Sequence, residues 1–175
     1  SQLFEGVNNR DLTKRLIANL QSENIDCIDI VASEQDISLE TRVQRANKQH
    51  QIKKSLYISI HSDAAGDGTN WHPASGISVY TSKGQTKSDE FAQIIFDEMY
   101  EQFGDTVKWR TETSDGDKDK EENFYVLRNT NCPAVLLELG FHTNKEEAKI
   151  MLTPEFKNKV VLAITYAIKK FELKN

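Results

Sequence analysis

Two short apolar runs, each closed by a residue that can do chemistry, constrain this chain more than any other feature. Leu56-Tyr57-Ile58-Ser59-Ile60 stops at His61, and Ala134-Val135-Leu136-Leu137 stops at Glu138. Runs of this length, so nearly free of charge, read as strands covered on both faces of a sheet. Stretches of helical period surround them. Leu12, Leu16 and Leu20 recur every four residues and Ile17 widens the stripe, so residues 8–21 predict a helix with Asn8 or Asn9 as N-cap. Leu39, Val43 and Ala46 mark a second helix behind Ser38 as cap; Ser38-Leu39-Glu40-Thr41 lacks an acid at its fourth position, which leaves the capping box incomplete. Phe91, Ile94, Ile95, Met99 and Phe103 give a third helix ended by Gly104. Pro154 opens a last one as its first residue, with Phe156, Val160, Ile164, Ala167, Ile168 and Phe171 facing inward. Residues 25–32 alternate and predict a strand. Residues 75–81 predict another, with Ile77 and Val79 on one face. Residues 111–123 are polar and mostly charged, the pattern of a long mobile loop.

Strands interleaved with helices imply an α/β fold: a single three-layer domain, a mostly parallel twisted sheet with helices on both faces. The 175 residues suit one domain, with no internal repeat and no linker. The longest uninterrupted apolar stretch, residues 134–137, is far too short to span a membrane. A net charge of -5, with both signs interspersed, argues against nucleic-acid binding, which calls for a basic face. Cys27 and Cys132 each sit in or beside apolar sequence and read as two buried thiols; there is no Cys-x-x-Cys spacing for metal. The chain begins at Ser1 without a signal-peptide pattern, as a processed or trimmed product would.

In sheets of this kind, ligands gather beyond the carboxyl ends of the strands. His61 and Glu138 both fall there. A histidine at a strand end serves either as a hydrogen-bonding support or as a metal ligand, since neutral imidazole offers a lone pair near neutral pH. The small residues Ser62, Ala64, Ala65 and Gly66 around it leave room for a substrate. A carboxylate closing an apolar strand, as Glu138 does, is costly to desolvate unless paired. It is either a buried acid held by amides or a base, or a general acid/base tuned by its surroundings. Glu5, taken alone, is a first-turn acid favouring the helix dipole. Arg42 and Arg45 read as solvated helix charges, and Arg128 as a possible carboxylate binder. Trp71 and His72 anchor a polar loop or wall a substrate. No phosphate-binding glycine loop, Gly-x-Ser-x-Gly elbow or His-Glu-x-x-His segment is present.

Three segments in order resemble the zinc-dependent N-acetylmuramoyl-L-alanine amidases, cell-wall hydrolases found in bacteria and phages. One is the strand Leu56-Tyr57-Ile58-Ser59-Ile60-His61-Ser62-Asp63-Ala64. Another is Asn131-Cys132-Pro133-Ala134-Val135-Leu136-Leu137-Glu138-Leu139-Gly140-Phe141-His142-Thr143-Asn144. The third is the helix Ser38-Leu39-Glu40-Thr41-Arg42-Val43-Gln44-Arg45-Ala46-Asn47, which precedes the histidine strand. The resemblance covers nearly the whole chain. It implies that His61 and Glu5 bind Zn2+, that Glu138 is the catalytic acid/base, and that Arg128 contacts a carboxylate of the peptide stem. It also implies a further zinc-binding histidine in a first strand that would precede Ser1, so the expected domain, residues 1–175, lacks that strand and that ligand. The alternative is that His50, His72 or His142 replaces it; His142 is nearest to Glu138 in sequence but lies outside the family's ligand pattern. Some family members carry an inhibitory helix after the strand that here ends near Thr81. Its absence implies an open site.

The expected activity is hydrolysis of the amide between N-acetylmuramic acid and L-alanine of peptidoglycan, by a single copy of the chain in the cell envelope, periplasm or extracellular space. The competing readings are a catalytically incomplete peptidoglycan-binding module and a zinc peptidase of another substrate, because fold does not fix substrate.

Overall fold

The strand that closes on Glu138 is the axis of the molecule. The computed structural model describes residues 5–174. Its strands are β1 (Tyr57–Asp63), β2 (Ser78–Thr81), β3 (Lys120–Glu121) and β4 (Ala134–Phe141), ordered β1-β4-β2-β3 in one sheet. β1 runs parallel to β4, with Tyr57 opposite Ala134 and His61 opposite Glu138. On its other side β4 meets β2 antiparallel, Ser78 opposite Glu138. β3 then adds in parallel to β2. The sheet is therefore mixed but mostly parallel, and His61, Glu138 and Ser78 share one row.

The side-chain period of two along β4 divides the helices into two layers. Val135, Leu137 and Leu139 enter one core with Leu12, Leu16 and Leu20 of α1 (Glu5–Ser22), the stripe of α3 (Lys87–Phe103) and that of α6 (Pro154–Lys174). Ala134 and Leu136 enter the other with Val43 and Ala46 of α2 (Leu39–Ile52) and Val126 and Leu127 of α4 (Tyr125–Asn129). β2 splits the same way, Val79 to the first core and Tyr80 to the second. Val135, Leu137, Val160 and Ile164 are all 0% exposed, and burying each contributes about 1.5–3 kcal/mol over leaving it in water. A short helix, α5 (Lys145–Met151), follows β4 and buries Ala148 and Met151.

Helix starts and stops follow side-chain chemistry. Ser38 Oγ accepts the Thr41 amide to start α2. Thr86 and Asp89 form a reciprocal capping box at α3. Gly104, at φ 51°, ends that helix. No helix among the described residues is long and apolar enough to cross a membrane. Cys27 and Cys132 are both free thiols; Cys132 is buried and Cys27 only partly so.

Four expectations are corrected. Residues 25–32 form no ladder among the described residues. Asp29 Oδ1 accepts the amides of Val31 and Ala32 at 3.0 Å each, and Ala32 takes φ 43°, so the backbone turns instead of pairing. Helix α1 starts a turn before Asn8 and Asn9; Asn8 is buried on its inner face, and Asn9 Nδ2 donates back to Glu5 rather than capping. Leu39 is 49% exposed and leaves the stripe of α2 to Val43 and Ala46. The charged stretch 111–123 is not wholly a loop, because it ends in β3 and carries Asp119 into the interior.

Candidate active site

The row His61, Glu138, Ser78 lies on the α2–α4 side of the sheet, towards the carboxyl ends of β1 and β4. Here β1 slips register between His61 and Asp63, leaving Ser62 without a ladder partner. β1 is an edge of the sheet among the described strands, and the Ser62 amide, on the side away from β4, donates to Glu5 Oε1 at 3.3 Å. The first turn of α1 thus docks its acid on the strand end. The same oxygen lies 3.2 Å from His61 Nδ1 and accepts from Asn9 Nδ2 at 3.3 Å. Both side chains remain about one-third exposed, His61 at 33% and Glu5 at 37%. Burial pushes the Glu5 carboxyl up, but the hydrogen bonds from His61 and Ser62, with the charges of His61 and His142, outweigh it and hold the group below its ordinary value.

This pair could hold a metal. Two ligand atoms on a tetrahedral zinc with bonds of about 2.0–2.1 Å lie about 3.3–3.4 Å apart. The 3.2 Å between Glu5 Oε1 and His61 Nδ1 is close to that edge. On the far side of the ring, Ser59 Oγ lies 3.0 Å from His61 Nε2. A hydroxyl can donate or accept. It can therefore serve the ring with the proton on Nδ1, or with the proton on Nε2 when a cation takes Nδ1.

Glu138 has the opposite environment. Its Oε2 is buried and has no hydrogen-bond partner among the described residues. Burial, then the negative charges of Asp63 and Glu5, push its pKa up to about 8, against a weaker pull from Arg110. A carboxyl in that range can take a proton and return it near neutral pH. Arg110 is the cation of this corner: Nη1 is 3.2 Å from Asp63 Oδ2 and the guanidinium stacks over Phe141, 4.9 Å from the ring centre. Gly76, at φ 122°, sits under it; a Cβ there would meet Arg110 Cγ at 2.7 Å.

The structure thus brings Glu5, His61 and Glu138 together. Arg128 is elsewhere: it is exposed on the last turn of α4, near the start of β4, with its guanidinium 5.6 Å over the Tyr125 ring. Asp63 and Arg110 belong to the site and were not singled out by sequence. Asp63 lies in the histidine segment itself, a signal that was available, whereas Arg110 comes from the link between α3 and β3 and had none. His142 Nδ1 donates to the Ser62 carbonyl at 3.0 Å. With Thr143, Trp71 and residues 68–70 it lines an open cleft of ≈ 240 Å³ beside the strand end. His72 Nδ1 accepts the Ala74 amide, and His50 Nδ1 accepts the Ser55 amide, so both support loops.

Comparison with known proteins fits this geometry. The family model described as N-acetylmuramoyl-L-alanine amidase matches residues 1–170. The chain is 27% identical to an endolysin of Bacillus phage SPP1, covering 89% of this chain and 55% of that protein. It is 32% identical to the probable cell wall amidase LytH of Staphylococcus epidermidis, over 69% of this chain and 36% of that one. It thus spans between about a third and a little over half of these two relatives. The crystal structure of an N-acetylmuramoyl-L-alanine amidase from Clostridium difficile 630 superposes with a TM-score of 0.85 at 25% identity, over 100% of this chain and 87% of that one. With a family model matched over almost its full length and the fold shared throughout, this chain belongs to the N-acetylmuramoyl-L-alanine amidase family.

Proposed function

We propose that this chain hydrolyses the amide bond between N-acetylmuramic acid and the L-alanine of the peptidoglycan stem, using zinc held by Glu5 and His61. The observation that carries the reading is Glu138: a buried carboxyl oxygen without a partner, in register with a histidine whose Nδ1 already faces a second ligand. A module that only gripped peptidoglycan would have no use for so costly a group. The family and its relatives named as amidases support the substrate.

Zinc, when bound, lowers the pKa of water towards about 7 and polarises a carbonyl. The chain's own residues do the rest. Glu138 Oε2 accepts a proton from the attacking water, whose oxygen becomes part of the lactyl carboxyl as the C–N bond breaks. Glu138 then returns that proton to the departing L-alanine nitrogen. Arg110 steadies Asp63 and tempers the charge around Glu138. Ser59 orients the His61 ring, accepting from Nε2 when a cation takes Nδ1. The cleft at Trp71 and His142 gives the stem or glycan a wall. Arg128 enters as a contact for a stem carboxylate away from the bond that breaks; an unchanged KM in Arg128→Ala would remove it. The substrate places the activity in the cell envelope.

The test pairs zinc content with turnover. Glu138→Gln should keep its zinc and lose about two orders of magnitude or more in rate on purified peptidoglycan. Normal turnover by that variant would sink the assignment of Glu138.

A further inference from the structure

A second group of acids lies away from the active site. Asp89, at the start of α3, and Asp117 and Asp119, just before β3, bring carboxylate oxygens within 4.8 Å of one another. Thr81 ties them to β2. It lies three steps along the strand from Ser78, which is in register with Glu138, so the two places are about 10 Å apart.

The hydrogen bonding of this group does not close. Asp119 is 1% exposed and Asp89 4%. Asp89 Oδ2 is satisfied by the amide and hydroxyl of Thr86. The Thr81 hydroxyl, however, lies 2.6 Å from Asp119 Oδ2 and 3.3 Å from Asp89 Oδ1, and its single proton can serve only one of them. Asp117 Oδ2 accepts from Gln85 Nε2, yet Asp117 Oδ1 and Asp119 Oδ1 are buried with no hydrogen-bond donor among the described residues. Orphaned oxygens on carboxylates that already repel one another are costly. Burial, then a hydrogen bond with Asp117 and the charges of Asp117 and Asp89, push Asp119 up to about 7 against the pull of the Thr81 hydroxyl. Either a shared proton or a cation relieves such a cluster.

We propose that Asp89, Asp117 and Asp119, with the Thr81 hydroxyl, bind a hard divalent cation of the calcium type, distinct from the zinc of the active site. The donors are all oxygen, which suits Ca2+ and not the nitrogen and sulfur preference of zinc. Carboxylates also alternate along Asp115-Gly116-Asp117-Lys118-Asp119, as they do in calcium-binding loops. The cation pins the end of the charged 111–123 stretch onto β2 and the first turn of α3, and so supports the link that carries Arg110.

The experiment is calcium titration calorimetry and thermal unfolding, with and without CaCl2, on the unmodified chain and on Asp119→Asn, Asp117→Asn and Glu138→Gln. The unmodified chain should bind one Ca2+ and melt several degrees higher with it. Both asparagine variants should bind at least about tenfold more weakly. Without calcium, Asp119→Asn should melt higher than the unmodified chain, because a buried like charge is gone. Glu138→Gln should keep the full calcium response. No heat and no shift in the folded, unmodified chain would mean that the acids share a proton, and would overturn the site. So would an undiminished response in folded asparagine variants, or loss of the response in Glu138→Gln.

Discussion

Replacing Glu138 by glutamine should make the metal-free protein more stable, and by an amount that grows with pH. Its carboxyl titrates near 4.5 when unfolded and about 8 when folded, the rise caused by burial and by Asp63 and Glu5. The folded state therefore holds the proton that the unfolded chain has already released. Below pH 4.5 both states are protonated and Glu138 costs nothing electrostatically. As pH rises from 4.5 to 8 the cost accumulates, and above 8 it is constant. At about 1.36 kcal/mol per unit, the penalty is about 1 kcal/mol at pH 5, about 4 at pH 8, and levels off near 5. Glutamine keeps the shape and removes the charge, so its advantage should follow that curve. Urea unfolding of the two proteins stripped of metal, at pH 5, 7 and 9, reads it directly. A difference that is flat with pH, or that favours the wild type more at high pH, would refute the electrostatic reading of the site. The stabilised variant should also be the inactive one, the trade expected of a strained catalytic group.

Other consequences are as direct. His61→Ala should purify without stoichiometric zinc while keeping its fold, which metal analysis and circular dichroism would show together. Arg110→Gln removes a cation that pulls the Glu138 pKa down, so the acid limb of the pH–activity profile should move to higher pH. Ile164 is 0% exposed at the centre of the larger core, and Ile164→Ala should cost about 2–5 kcal/mol in urea unfolding with no direct effect on zinc.

The layering was legible in the sequence because burial writes itself as period. The stripes of α3 and α6 and the near-charge-free strands β1 and β4 appear where their patterns place them, and His61 and Glu138 fall in one row because parallel register aligns the two strand ends. Residues 25–32 misled because alternation shows only that a segment fits a pleat. Whether it pairs depends on a neighbour, and Asp29 instead turned the backbone through its own side chain. Glu5 was legible only through resemblance; its docking depends on the Ser62 amide at the open edge of β1, a tertiary contact that no local pattern encodes. Arg110 carried no sequence signal, and Asp119 lay in the stretch 111–123 that reads as a long mobile loop. Their positions are set by tertiary contacts with Asp63 and Thr81, many residues away.

The central claim is that water, activated between the Glu5–His61 pair and Glu138, is added across the muramyl–L-alanine amide. Mass spectrometry of peptidoglycan fragments digested in 18O-labelled water by the zinc-loaded protein tests it most directly. The account predicts stem peptides with a new, unlabelled L-alanine amine, and one 18O in the lactyl carboxyl of muramic acid. Zinc-loaded protein that leaves this bond intact, or that releases unlabelled single amino acids and leaves the 18O in the new carboxyl of a shortened stem, would contradict it.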